Sequence, residues 1–217
     1  VYTGFLGSAE QAGVIGEFID RFGSDDGRGG TPLVLVDPVL GDDGELYHTI
    51  TPALTDAMRR LCIRADVITP NITEACLLSG MSYGDALAMS DSDPERLGRL
   101  LTSDLICLGG RLRRAVVTGI RCDGGKSIAT ASYDAADGSF ALHKQERVGR
   151  DYPGTGDIFA SALTGAYMRG RNIAESADIA TRFTFSAIER TYIAGTDPRF
   201  GVNFEEGLVA YINMLGE

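Results

Sequence analysis

The apolar positions of this chain change period as it proceeds. Residues 31–43, TPLVLVDPVLGDD, hold a short unbroken apolar run, Leu33–Val36, stopped by Asp37-Pro38. Such a run, without alternation, predicts a strand buried on both faces, the habit of parallel sheets. The same signal returns in ADVITPN (65–71) and RAVVTGI (114–120). Between these runs the period is helical. Thr51-Pro52 offers an N-cap and a first helical residue, with Leu54, Met58 and Leu61 on one face. ITEACLLSG (72–80) reads as a helix closed by Gly80, and DPERLGRLLTS (93–103) repeats the helix signal.

Beyond residue 120 the rhythm shifts. KSIATASYD (126–134) and SFALHKQ (139–145) flank AADG and predict an antiparallel hairpin at a sheet edge. Helices follow at roughly 157–169 and 173–192, with a last one from about Phe204. The opening, VYTGFLGSAEQ, reads as a strand running into a loop, in the manner of a domain interior. Strand alternating with helix over the first 120 residues predicts an α/β fold. The expected form is a three-layer α/β/α sandwich with a mainly parallel central sheet and an antiparallel edge hairpin. With no linker-like stretch and no internal repeat, residues 1–217 are expected to form one domain.

Composition narrows the choice of function. A chain of 217 residues, 44% hydrophobic and 23% charged, suffices for one sizeable core. No apolar run approaches the ~18 residues of a membrane span, and no leader of secretory type is expected at the start. The net charge of −10 argues against a nucleic-acid partner, because neutralising phosphates needs clustered Lys and Arg. It also constrains any phosphorylated ligand. Backbone N–H groups, a helix N-terminus or a metal ion must supply the attraction that the overall field opposes. Cys62, Cys76, Cys107 and Cys122 are scattered without a C-x-x-C pair, which fits reduced thiols in the cytoplasm. His48 and His143 stand apart from any acid or cysteine cluster, against a histidine triad or a zinc centre.

In parallel α/β sheets, ligands bind beyond the carboxyl ends of the strands. The polar residues there are Asp37 and Asp42, then Thr69, Asn71 and Glu74, then Thr118 and Gly119. Each has a bland explanation alone, since an acid before proline makes turns and an Asn after proline caps helices. The fold would bring them to one edge. In GTGDIFASALTGAYMRG (154–170), Ile158, Phe159, Ala162, Leu163, Ala166 and Tyr167 repeat at helical spacing until Gly170. Gly154-Thr155-Gly156 therefore lie at a helix N-terminus, where free N–H groups and the dipole make an anion site. Asp157 is electrostatically awkward beside such a site. The local pattern serves equally a first-turn acid that stabilises the helix and an acid that does chemistry.

Two look-alikes fall away. GTGDIF has Phe159 where a dinucleotide fingerprint needs its last glycine. GIRCDGGKS (119–127) is one residue too long for a phosphate loop and leads into a strand, so it reads as a hairpin turn.

Taken in order, DPVLGD (37–42), TPNITE (69–74) and GTGD (154–157) resemble the ribokinase-like fold. More narrowly they resemble its vitamin-kinase branch, typified by pyridoxal kinases, which TGFLGSAEQ (3–11) and VVTG (116–119) also fit. GTGD alone is shared with sugar and hydroxymethylpyrimidine kinases. The resemblance covers nearly the whole chain and implies ATP-dependent phosphorylation of the hydroxymethyl group of pyridoxal, pyridoxamine or pyridoxine, in a homodimer. It implies that Asp157 is the general base and that the N–H groups of Gly154, Thr155 and Gly156 cradle the transferring group. Asn71, Glu74 and Asp37 would hold Mg²⁺, directly or through water, against the nucleotide phosphates. Asp42 and Thr69 match positions for a monovalent cation such as K⁺ or for phosphate contact. Thr118 with Gly119 would face the nucleotide, and Phe5 lies where the vitamin ring stacks. Tyrosine often stands at that last position, so a hydroxyl contact is absent here. The family's first strand, with its vitamin contacts and adjoining lid, is expected before Val1. Two other readings fit the residues: a hydroxymethylpyrimidine or other small-alcohol kinase of this fold, or a nucleotide- or vitamin-binding protein without catalysis. The last would have no need of a base at Asp157.

Overall fold

A computed structural model of the chain describes residues 1–23, 30–149 and 151–216. Strand β1 (Tyr2–Thr3) leads into helix α1 (Ala9–Phe22) and then β2 (Leu35–Val36). A short ribbon, β3 (Gly41–Asp42) with β4 (Glu45–Leu46), precedes α2 (Pro52–Cys62) and β5 (Val67–Ile68). Helices α3 (Ile72–Ser79), α4 (Tyr83–Ser92) and α5 (Pro94–Ile106) cross to β6 (Arg114–Cys122). Strands β7 (Ser127–Asp134) and β8 (Ser139–Glu146) follow, then α6 (Thr155–Met168), α7 (Ile173–Ala194) and α8 (Leu208–Leu215). The main sheet runs β1-β2-β5-β6-β7-β8, its first four strands parallel and its last two antiparallel.

The pleat divides the side chains between two cores. Val36, Ile68, Ala115 and Val117 face one core with Leu54, Met58, Leu61, Leu97 and Leu101 of the helices that precede β6. Leu35, Val67 and Val116 face the other, with Phe159 and Leu163 of α6 and Ala180 and Phe183 of α7. Neither face of β2 and β5 meets water, which is why their sequences show no polar alternation. The expected sandwich and edge hairpin are both present. The stretch containing Gly125-Lys126 is the turn between β6 and β7, as its register shows.

Helix starts follow local capping chemistry. Ser8, Thr51, Ser82 and Asp93 each accept a backbone N–H from the first turn of α1, α2, α4 and α5. Asn71 with Glu74 and Asn172 with Glu175 form reciprocal capping boxes on α3 and α7. Just before β5, Asp66 ties neighbouring segments together. Its carboxylate takes both arms of the Arg111 guanidinium at 2.6 Å and the Val34 N–H at 2.8 Å.

Helix α1 begins inside the opening stretch read as strand and loop and runs on through residues given no element. Its buried stripe is Ala12, Gly16 and Ile19, too slight to register as an apolar period, while Val14, Phe18 and Phe22 point outward. Helix α4 is equally unannounced, burying only Ala86 and Ser90. Strands β1, β2 and β5 pair over two residues each, for β2 and β5 less than their apolar runs suggest. Helix α6 starts at Thr155 rather than near 157.

Candidate active site

Three strand ends and one helix start meet at one edge of the sheet, around a cavity of about 610 Å³. Asp37 follows β2 and is buried. After β5 the chain passes through buried Thr69 to Asn71, the cap of α3, and Asn71 bridges to Thr118 of β6. Thr118 donates its N–H to the Pro70 carbonyl at 3.0 Å. Next to it β6 bulges between Val117 and Ile120, with Gly119 at φ +76, a conformation strained for any residue with a Cβ. The β3–β4 ribbon brings Asp42 to the same rim.

The fourth wall is the start of α6. Gly154 occupies the cap position at φ +80, and no side chain caps this helix, unlike α1 to α5 and α7. The Thr155 hydroxyl donates instead to the Tyr152 carbonyl at 3.1 Å. The first-turn N–H groups therefore lack a side-chain acceptor at the end of the helix where the dipole is positive, and they open on the cavity. Asp157 is the third residue of α6, so it is not the cap. It is exposed, and its Oδ1 accepts from the Tyr2 hydroxyl at 3.4 Å.

Burial lifts the Asp37 carboxyl to about 7; the charge of Asp157 adds to this and the Thr69 hydroxyl opposes it. Burial lifts Glu74 to about 8, with the charge of Asp37 adding and the N–H groups of Asn71, Leu40 and Gly41 opposing. Burial also raises Asp42 and pushes the Tyr2 phenol far up, the latter helped by Asp37 and Asp157. The site thus concentrates acids that a cation would relieve.

The donors differ in how free they are. Glu74 Oε1 accepts the Leu40 N–H at 3.0 Å and Oε2 the Asn71 N–H at 2.8 Å. Asn71 gives its amide to the Gly41 carbonyl at 2.7 Å and accepts the Glu74 N–H at 2.9 Å. Asp37 alone of the three has no backbone partner at its carboxylate among the described contacts, and among the described residues no group of three or more His, Cys, Asp or Glu forms a metal cage. That set fits an ion that takes one or two carboxylates and completes its shell with phosphates and water, as Mg²⁺ does.

Asp37, Asp42, Thr69, Asn71, Glu74, Thr118, Gly119 and Gly154 to Asp157 all line the cavity. Phe5 does not; it stands 56% exposed between β1 and α1. Sequence reasoning missed Tyr2, which reaches Asp157 through the pairing of β1 with β2, and Thr181 and Thr184 of α7, whose buried hydroxyls have no partner among the described residues. It also missed Arg121, although that residue lies two positions beyond Gly119 at a strand end already singled out.

The family model described as phosphomethylpyrimidine kinase matches residues 1–200. A pyridoxine/pyridoxal/pyridoxamine kinase of Bordetella avium is 31% identical over 200 residues, 89% of this chain and 61% of that protein. The chain thus spans about three fifths of that relative's length. A Bacteroides thetaiotaomicron protein assigned to the phosphomethylpyrimidine kinases and crystallised with pyridoxal is 32% identical, with a TM-score of 0.84 over 97% of this chain and 70% of that one. The pyridoxal kinase of Lactobacillus plantarum is 29% identical, with a TM-score of 0.80 over 98% of this chain and 70% of its own. The fold is the ribokinase-like one of these kinases.

Proposed function

Because the chain belongs to the phosphomethylpyrimidine kinase family, we propose that it serves transfer of the γ-phosphoryl group of ATP to the hydroxymethyl group of a B6 vitamer. The observation that carries this reading is one cavity in which an uncapped helix start, a carboxylate in its first turn and the strand-end oxygens meet. Phosphoryl transfer asks mainly for positioning and charge stabilisation, with a group to orient the attacking alcohol. Asp157 is the group that accepts the alcohol's proton as its oxygen attacks the γ-phosphorus. The bond from that phosphorus to the β,γ-bridging oxygen breaks, and ADP leaves. The N–H groups of Gly154, Thr155 and Gly156 stabilise the charge on the passing phosphoryl group.

Asp37, with Glu74 and Asn71 behind it through water, would hold Mg²⁺, which supplies charge neutralisation for the phosphates. Asp42 and Thr69 would take a monovalent cation or a phosphate oxygen, and Thr118 with Gly119 the nucleotide. Phe5 would stack on the vitamin ring only if that ring extends past the cavity's described lining. One kinase domain, a homodimer and a cytoplasmic setting belong to the same proposal; the four free cysteines suit a reducing compartment. Among the described residues no helix is long and apolar enough to cross a membrane.

The Bordetella relative and the pyridoxal-bound Bacteroides structure favour a B6 vitamer. The family description favours a pyrimidine alcohol instead. Assay of the full-length protein with ATP and pyridoxal, pyridoxamine, pyridoxine and hydroxymethylpyrimidine separates the two. Turnover of the pyrimidine alcohol with none of the vitamers would sink the vitamin reading.

A further inference from the structure

The cavity is acidic, yet two cations line it among the described residues, Arg121 and Arg147. Neither faces the cavity alone. Arg121 reaches Asp43 Oδ1 at 2.7 Å and Asp151 Oδ2 at 3.2 Å, and Arg147 reaches both oxygens of Asp151 at 2.9 Å. The chain of charges runs from the tip of the β3–β4 ribbon, across β6, to the segment that leads into Gly154. Asp43 holds φ +49 at that tip, a conformation uncommon outside glycine. Asp43, Asp151 and Arg121 lie close enough that each acts on the Asp42 carboxyl, which is itself on the cavity rim.

These pairs are weak holders. Arg121 is one third exposed, and its two partners are more than half exposed, the range in which ion pairs contribute little. A phosphate group offers the same planar fork an acceptor of higher charge. In a protein with net charge −10, a guanidinium at the mouth of a phosphate site has a use that a surface ion pair does not. We propose that Arg121 is a phosphate ligand for the nucleotide, and that Asp43 and Asp151 keep it at the edge of the cavity until the phosphates replace them. This rests on the nucleotide-kinase reading above. The exchange removes one of the two guanidinium partners of Asp151, three residues before Gly154, and leaves it to Arg147, so filling of the phosphate site is felt by the segment that carries the anion cradle.

The test is equilibrium binding of ADP and of adenosine to the full-length protein, for the wild type, Arg121→Ala, Arg121→Lys, Asp151→Asn and the double variant. Arg121→Ala should weaken ADP about 10-fold or more, the loss of one charge-assisted contact, and leave adenosine unchanged. Arg121→Lys should recover part of the loss. Asp151→Asn should tighten ADP, and that gain should vanish when Arg121 is also Ala. Should Arg121→Ala fail to fold, Arg121→Gln, which keeps most of the stem and drops the charge, carries the same comparison. The assignment is overturned if Arg121→Ala or Arg121→Gln binds ADP like the wild type, or if it loses ADP and adenosine equally, as a purely structural residue would. Weaker ADP binding by Asp151→Asn overturns the exchange. A wild-type protein that binds no ADP overturns the nucleotide-kinase reading and this assignment with it.

Discussion

Replacing Asp37 by Asn should stabilise the ligand-free protein while weakening its hold on a metal–nucleotide complex. Asp37 is 6% exposed, and its carboxyl is lifted from 3.8 to about 7, chiefly by burial. A folded-state value above the unfolded one means the native state holds the proton more tightly. Folding stability from this group is then greatest below pH ~4 and falls as pH rises through about 7. The rise corresponds to about 4 kcal/mol of destabilisation at pH 8.5, at about 1.4 kcal/mol per decade of acidity. An Asn amide brings its own unmet hydrogen bonds, so a gain of about 2–4 kcal/mol is expected at pH 8.5 and almost none at pH 4. Urea unfolding in the presence of a chelator, without nucleotide, at the two pH values measures it. A gain of equal size at both values, or a loss at pH 8.5, would show that Asp37 is not the strained acid argued here. The companion experiment adds Mg²⁺ and ADP. There the wild type should gain stability by binding and Asp37→Asn should gain much less.

Other outcomes follow from the same geometry. Asp157→Asn should reduce phosphorylation by about two orders of magnitude or more in the full-length protein while ADP binding, followed by calorimetry, survives. Gly154→Ala meets no neighbour within 4 Å but must hold φ +80, so it should cost about 1 kcal/mol in thermal unfolding and reduce turnover by displacing the cradle. Gly98→Ala places a Cβ 2.8 Å from that of Ala131, where α5 crosses β7, and should destabilise by about 1–3 kcal/mol in urea without altering ligand affinity. Leu54→Ala, in the α2 face of the larger core, should cost about 2–5 kcal/mol by the same assay.

Much of this molecule is legible along the chain because its information is local. The apolar runs at 33–36, 67–68 and 115–117 are unbroken because each strand lies between two helical layers. Thr51-Pro52 starts a helix and Gly80 ends one for reasons contained within four residues. The strand-end rule then places Asp37, Asp42, Thr69, Asn71, Glu74, Thr118 and Gly119 at one edge without any distance being known. Where packing replaces pattern, the sequence is mute. Helix α1 docks by Ala12 and Gly16, whose small side chains give no apolar period, and α4 buries too little to show one.

The state of the site groups is decided only by tertiary structure. Asp37 and Glu74 are distant in the chain, and their shared burial, with the charge of a neighbouring acid on each, turns two ordinary carboxyls into acids with values near 7 and 8. Tyr2 meets Asp157 across 155 positions because β1 lies beside β2. The proposal that Asp157 is the reactive acid, and not only a helix-start acid, rests on the same tertiary arrangement. Gly154 has no side chain with which to cap α6, which leaves that helix start facing the cavity and Asp157 beside it. Periodicity and capping act over one or two turns and can be read residue by residue. Electrostatic coupling acts through space, across a strand order that no neighbouring residues record.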